Sequence, residues 1–116
     1  MRKVYYLSTC STCKRIMNEI GESLAGFEVQ DIKKKAITEA QVDEMKKLSG
    51  SYEALFSKRS RSYQSMGLAE KELKEKDYRQ LIMDDYTFLK RPVFIVDDQI
   101  FIGNAEKTVE ILKQNL

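Results

Sequence analysis

A run of four residues, Val4-Tyr5-Tyr6-Leu7, and the apolar stripe that follows it set the first constraint on what this chain can fold into. The run is branched and aromatic, which suits a buried strand. Just beyond it Ile16, Met17, Ile20 and Leu24 recur at helical spacing, predicting a helix from about Ser11 to Leu24 that Gly26 ends. Phe27, Val29 and Ile32 then alternate loosely, as a second strand does. Strand, helix and strand in the first third of a chain imply a parallel pair joined by a right-handed crossover.

Further along, Thr38 and Gln41 have the spacing of a capping box and open a helix whose face is Val42, Met45 and Leu48. Ser51 caps a short helical piece through Leu55 and Phe56, and Lys58 to Ser65 is polar and basic, as in a loop. A helix through Tyr78, Leu81, Ile82 and Tyr86 follows. Pro92 precedes Val93-Phe94-Ile95-Val96. With the polar turn Asp97-Asp98-Gln99 and the run Ile100-Phe101-Ile102-Gly103, that makes a β-hairpin. Asn104 is a reasonable N-cap for a last helix carrying Val109, Ile111, Leu112 and Leu116. The order is βαβ, a helical insertion over about 36–88, then ββα. It predicts an α/β fold with a mixed four-stranded sheet flanked by helices, in a single domain over 1–116. At 116 residues and 42% hydrophobic, the chain can bury a sizeable core.

Twenty basic residues face eighteen acidic ones, for a net charge of +2, so no concentrated basic face is expected to read nucleic acid directly. The first apolar run is too short for a signal peptide, and no segment approaches a membrane span. A cytoplasmic location is the expectation. There a C-x-x-C is more often catalytic or metal-binding than a structural disulfide.

The only two cysteines form such a motif, Cys10-Ser11-Thr12-Cys13-Lys14-Arg15, where the first strand hands over to the first helix. A zinc half-site would need more ligands, and the chain has no other Cys and no His, which argues against a metal. Inert core thiols would not require this spacing at a helix mouth. A structural disulfide would close a very small loop with little entropic gain. A thiol–disulfide couple fits the context best. The helix N-terminus lowers the pKa of Cys10, Cys13 resolves the mixed disulfide one turn further in, and Lys14 and Arg15 add positive charge.

Pro92 can be read as a strand-initiating proline or as a cis proline. The βαβ…ββα order favours the second. In thioredoxin-like folds a cis proline opens the third strand and brings backbone against the active cysteine, so that Arg91 projects beside Cys10. A guanidinium there stabilises a thiolate or grips an oxyanion. Lys58-Arg59-Ser60-Arg61 is either a solvated charged loop or a second cationic arm for the same site.

The chain resembles the arsenate reductase-related ArsC/Spx family of thioredoxin-like proteins. The likeness rests on the early strand leading into Cys10 to Arg15, on Glu53-Ala54-Leu55-Phe56-Ser57-Lys58-Arg59-Ser60, on Tyr63 to Leu68, and on Lys90-Arg91-Pro92-Val93 leading to Ile102-Gly103. It implies a thioredoxin-like sheet with a helical insertion between its halves. It also implies a nucleophilic Cys10 in an anion-binding loop with Ser11, Thr12 and Pro92, and Arg91, with Arg59, as site cations. Glutaredoxin-dependent arsenate reductases resemble the chain at Cys10 and Arg91 but use two further arginines. One falls near Ser57, with Arg59 close by. The other should follow the last hairpin, where Phe101-Ile102-Gly103-Asn104 offers none. Their motif usually lacks the second cysteine. Cys13 and Lys58-Arg59-Ser60 look more like the Spx branch, redox-sensing regulators that bind the C-terminal domain of the RNA polymerase α subunit. A glutathione-using thiol reductase is a third outcome. The expectation is an arsenate reductase-like thiol–disulfide oxidoreductase that binds no cofactor, with Cys10 as nucleophile and Cys13 as resolving thiol. Glutathione, glutaredoxin or thioredoxin would be its reductant. An Spx-like regulator and an arsenate reductase proper are the alternatives.

Overall fold

In the computed structural model, which describes residues 1–116, four strands form one mixed sheet in the order β2-β1-β3-β4. They are β1 (Arg2–Tyr6), β2 (Glu28–Asp31), β3 (Val93–Val96) and β4 (Gln99–Ile102). β1 runs parallel to β2 and antiparallel to β3, and β3 and β4 are an antiparallel hairpin. The helices are α1 (Ser11–Ile20), α2 (Glu39–Ser49), α3 (Arg61–Ser65), α4 (Glu75–Asp84) and α5 (Glu106–Gln114). None is long and apolar enough to cross a membrane. The chain divides into two units, one of residues 1–36 and 91–116 and one of residues 37–90.

The first unit holds the whole sheet with α1 and α5. Its register aligns Val4 with Phe94 and Phe94 with Phe101, so these side chains share one sheet face. They form a core with Ile16, Met17 and Ile20 of α1, Phe27, Val96, and Val109 and Leu112 of α5. Phe27 and Phe94 meet edge to face at 5.5 Å. Each such side chain contributes roughly 1.5–3 kcal/mol on burial, so this face fixes where α1, and hence the cysteine loop, sits. On β1 the alternate residue Lys3 is buried, with its ammonium 2.9 Å from the Glu28 carboxylate across the parallel pair.

Several expected bounds move. α1 stops at Ile20, because Gly21 takes φ 56° and the chain continues to Gly26 as a 3₁₀ turn, so Leu24 packs on the core from outside the helix. Gln99 belongs to β4 rather than to the turn, leaving Asp97-Asp98 as a two-residue connection with Asp97 at φ 56°. Ala105, not Asn104, is the N-cap of α5; its carbonyl accepts the Val109 N–H at 3.1 Å and no side chain caps that end. Ile111 is exposed, so the buried face of α5 is narrower than its apolar residues suggest.

The second unit is helical. Thr38 and Gln41 form the capping box of α2, with reciprocal bonds of 3.1 and 3.0 Å. Ser51 Oγ accepts the Ala54 N–H at 3.1 Å and starts a 3₁₀ turn over Glu53–Leu55. Residues 61–65, expected to be loop, are the single helical turn α3, because Ser60 turns its hydroxyl to the Ser62 N–H. Tyr86 lies beyond α4, in a 3₁₀ turn through Phe88. At the centre, buried Phe56 stacks on Phe88 at 5.0 Å and meets Tyr78 and Tyr63 edge to face at 4.9 and 6.0 Å. The Ser57 N–H donates to Phe88 and the Lys90 N–H to Leu55, so the strand-like segments around Phe56 and Leu89 pair.

Candidate active site

β1 ends at Tyr6, and the Leu7 carbonyl accepts the Cys10 N–H at 2.9 Å, closing a tight turn. Cys10 leaves that turn extended, at φ −96° and ψ 108°, and is the N-cap of α1. Its Sγ accepts the Cys13 N–H at 3.4 Å, where other helices place a Ser, Thr, Asp or Asn oxygen. A sulfur is a poor acceptor while neutral and a better one as thiolate. No acidic residue stands in the first turn to compete for the helix N-terminus.

The two thiols, which form no disulfide, are shifted in opposite directions. Partial burial pushes the Cys10 thiol up, but the Cys13 amide and side chain, the Arg91 charge and the Thr12 amide together outweigh it and hold Cys10 below its ordinary value. Cys13 is wholly buried. Burial pushes it up to about 12; the Leu7 backbone and Arg91 oppose this, while the neighbouring Cys10 sulfur adds to it.

Arg91 is placed by strand register. Val93 opposes Tyr5 in the antiparallel pair, so Arg91-Pro92 runs beside Tyr6-Leu7, where the chain turns toward Cys10. The Arg91–Pro92 peptide is cis. Pro92 is buried and its carbonyl accepts the Gly103 N–H at 2.9 Å, tying it to the end of the hairpin. Ser11 is exposed and Thr12 half-buried, both on the first turn of α1. Cys10, Ser11, Thr12, Cys13, Arg91 and Pro92 thus gather in the first unit.

Arg59 lies in the second unit, exposed on the segment between Phe56 and α3, and its N–H donates to Ser57 Oγ at 3.3 Å. That segment is well anchored. Buried Ser60 shares a 2.8 Å hydrogen bond with Thr87, Ser62 Oγ donates to Asp85 at 2.9 Å, and the Thr87 hydroxyl donates to Asp85 at 2.7 Å. Lys58, Arg59 and Arg61 therefore project from a fixed backbone.

Asp31 belongs to the site and was not expected from the sequence. In register with Tyr6 at the end of β2, its Oδ1 accepts the Ser8 N–H at 3.3 Å and the Lys33 N–H at 3.1 Å. Burial raises its pKa, yet bonds from Ser8 and Lys33 and the charge of Lys34 hold it below the usual carboxylate value. Its Oδ2 is buried with no hydrogen-bond partner. An ionised Asp31 thus grips the cysteine loop from the β2 side. The available signal was an aspartate ending a strand two residues before Lys33, an Asx-turn spacing.

The family model of the ArsC family matches residues 5–112. The chain belongs to the ArsC family. No curated protein shows a significant sequence match to it. Among solved structures, a possible arsenate reductase from Streptococcus mutans UA159 is similar at 27% identity and a TM-score of 0.75, with 97% of each chain covered. A Staphylococcus aureus COL protein solved in solution is 26% identical at a TM-score of 0.73, over 96% of this chain and 97% of that one. The arsenate reductase from Vibrio cholerae, 14% identical, shares the fold at a TM-score of 0.74 over 99% of this chain and 97% of its own. The fold is therefore the thioredoxin-like, arsenate reductase-like one of the ArsC family, with Cys10 at the start of its first helix.

Proposed function

We propose that this ArsC-family protein is a thiol–disulfide oxidoreductase in which Cys10 is the nucleophile and Cys13 the resolving thiol. The observation that carries this is the opposition of two thiols within one helical turn, one half-buried with its pKa lowered, the other buried with its pKa raised. The Cys10 thiolate attacks one sulfur of a substrate disulfide, forms a mixed disulfide and expels the other half as thiolate, which takes up a proton. Cys13 then loses its proton and attacks Cys10 Sγ. The Cys10–Cys13 disulfide forms, the second substrate half leaves as thiol, and two electrons have passed to the substrate. Once Cys10 is capped its negative charge is gone, and with it two of the influences that keep Cys13 protonated. Arg91 stabilises negative charge on substrate and leaving group. The amides of Ser11 and Thr12 and the Pro92 backbone shape the pocket. No bound cofactor takes part; glutathione, glutaredoxin or thioredoxin returns the electrons.

Reaction of the reduced protein with a small disulfide tests this. Wild type should end as an internal disulfide with no adduct, Cys13→Ser should stop at a stable adduct on Cys10, and Cys10→Ser should not react. Adduct on Cys13 in the wild type would overturn the assignment.

The second cysteine also supports a different class of function, a redox-controlled module that binds the RNA polymerase α C-terminal domain. Oxidation-sensitive binding to that isolated domain would establish it, and no binding in either redox state would remove it. An arsenate reductase proper is a third reading, which requires arsenate turnover with glutathione and glutaredoxin that is lost in Arg91→Ala; Phe101-Ile102-Gly103-Asn104 supplies no further arginine for it.

A further inference from the structure

Three consecutive lysines, Lys33, Lys34 and Lys35, stand exposed on the turn that follows β2. That strand is a sheet edge, paired only with β1. The turn is fixed from several directions. Buried Ile32 donates its N–H to the Tyr6 carbonyl at 2.9 Å, and the Lys34 and Lys35 N–H groups donate to the Asp31 carbonyl at 3.1 and 2.9 Å. The side-chain amide of buried Gln30 donates to the Lys35 carbonyl at 3.1 Å. The turn is also tied to the cysteine loop, because Asp31 Oδ1 accepts both the Lys33 N–H and the Ser8 N–H, two residues before Cys10. The acids of this stretch are engaged, Glu28 with Lys3 at 2.9 Å and Asp31 with those two amides, whereas none of the three lysines forms an ion pair. A charge run on a loose loop is ordinarily a solvated surface. This one is held in place beside a reactive sulfur.

We infer that the turn of Lys33, Lys34 and Lys35 is a docking surface for an acidic segment of the protein whose disulfide Cys10 attacks. This rests on the oxidoreductase assignment above and adds to it the class of substrate. Positive potential next to the reacting sulfur speeds encounter with an anionic chain and orients it, an effect carried mainly by association. The covalent step is the one already written. Cys10 Sγ bonds to one sulfur of the substrate disulfide, the substrate S–S bond breaks, and the departing thiolate takes up a proton. The lysines act before that step and touch no reacting atom. An ammonium on a flexible stem is a point charge, which suits carboxylates spread along a mobile chain better than one fixed planar anion. A polyphosphate would meet the same three charges but brings no disulfide to Cys10. An acidic protein segment is the occupant that uses both features.

Two peptides test this, each with a single cysteine activated as its thiopyridyl mixed disulfide, one flanked by glutamates and the other by glutamines. Attack of Cys10 on the peptide sulfur releases pyridinethione, whose absorbance gives the second-order rate. The ratio of acidic to neutral rates is read in wild type, in the triple variant Lys33→Gln, Lys34→Gln, Lys35→Gln, and in the triple variant Lys33→Glu, Lys34→Glu, Lys35→Glu. An exposed ion pair is worth a factor of about 1.5–5. The ratio should therefore exceed one in wild type, fall roughly tenfold in the glutamine variant and further in the glutamate variant, and approach one in about 1 M salt. A ratio above one that neither triple variant changes would overturn the docking surface while leaving the thiol chemistry standing. A wild-type ratio of one, with a single-stranded oligonucleotide bound by wild type and lost from the glutamine variant, would assign the lysines to nucleic acid and overturn the protein occupant. Failure of Cys10 to react with either peptide would instead overturn the oxidoreductase assignment on which the surface depends.

Discussion

At the residue scale, one loop sets two sulfurs apart. Cys10 is drawn down by an amide bond, a helix end and a guanidinium, each of which favours charge; Cys13 is pushed up by burial. Removing the guanidinium with Arg91→Ala should raise the Cys10 midpoint toward ~8.5, read from the pH dependence of alkylation in a Cys13→Ser background. An unchanged midpoint would show that the helix end alone sets it. Asp31 acts on the loop rather than on the sulfur. Asp31→Ala removes the acceptor of the Ser8 N–H and should speed hydrogen exchange at Ser8 and the loop amides that follow, with β1 still protected. Equal exchange in both proteins would mean that the Leu7–Cys10 turn holds the loop alone.

At the element scale, the cysteine loop exists because α1 is docked by Ile16, Met17 and Ile20 and because Cys10 replaces an oxygen cap with a sulfur. A serine in that position is a better cap. Cys10→Ser should leave the fold intact and raise the midpoint of thermal unfolding slightly, by a contribution of about 0.5 kcal/mol, while abolishing reactivity. A lowered midpoint would mean that the thiolate itself holds the helix end. In the second unit Phe56 is the common ring of the aromatic group, so Phe56→Ala should cost roughly 3–5 kcal/mol and expose residues 37–90 to proteolysis first. The Arg79 guanidinium on α4 bridges to Asp43 on α2 at 2.9 and 3.2 Å; it and the Tyr52 hydroxyl hold the Asp43 carboxyl down at about 2. The stability it contributes is present above the ordinary aspartate pKa and is lost as pH falls toward 2. Asp43→Asn should flatten the acid limb of unfolding.

The elements that the sequence made legible are those whose signal is local and repeated. The presence and type of the two ββα strands and of α1, and the α2 capping box, read correctly because a packed face or a reciprocal cap leaves a periodic trace. The bounds that moved did so for reasons with no such trace. Gly21 stops α1 by its φ before Gly26 is reached, and Ser60 starts α3 through a single hydroxyl inside a charged run. Asp31 escaped notice because its meaning depends on parallel pairing with β1, which brings residues 25 apart into one register.

At the scale of the whole molecule, the sheet is the device that brings distant residues to one loop. Parallel pairing of β1 with β2 brings Asp31, antiparallel pairing with β3 brings Arg91 and Pro92, and α1 supplies both sulfurs. A short motif and a lone proline single out Cys10, Cys13 and Arg91 in the sequence, and the sheet places them at one end of the first unit. How far Cys13 resists ionisation was not legible there, since it depends on the finished core around it. That resistance links chemistry to stability. The Cys13 pKa is raised on folding, so its contribution is complete below the unfolded thiol value of ~8.5 and is lost as pH rises through about 12. Wild type should therefore lose stability between about pH 9 and 12 more steeply than Cys13→Ala, as followed by urea unfolding.

The most direct measurement is the rate of alkylation of each thiol in the native, reduced protein as a function of pH, with the modified cysteine located by mass spectrometry. Cys10 should react first, with a midpoint below ~8.5, and Cys13 should stay unmodified until the pH nears 12 or the protein unfolds. Equal reactivity of the two sulfurs, or faster reaction at Cys13, would contradict the division of roles on which the proposed function stands.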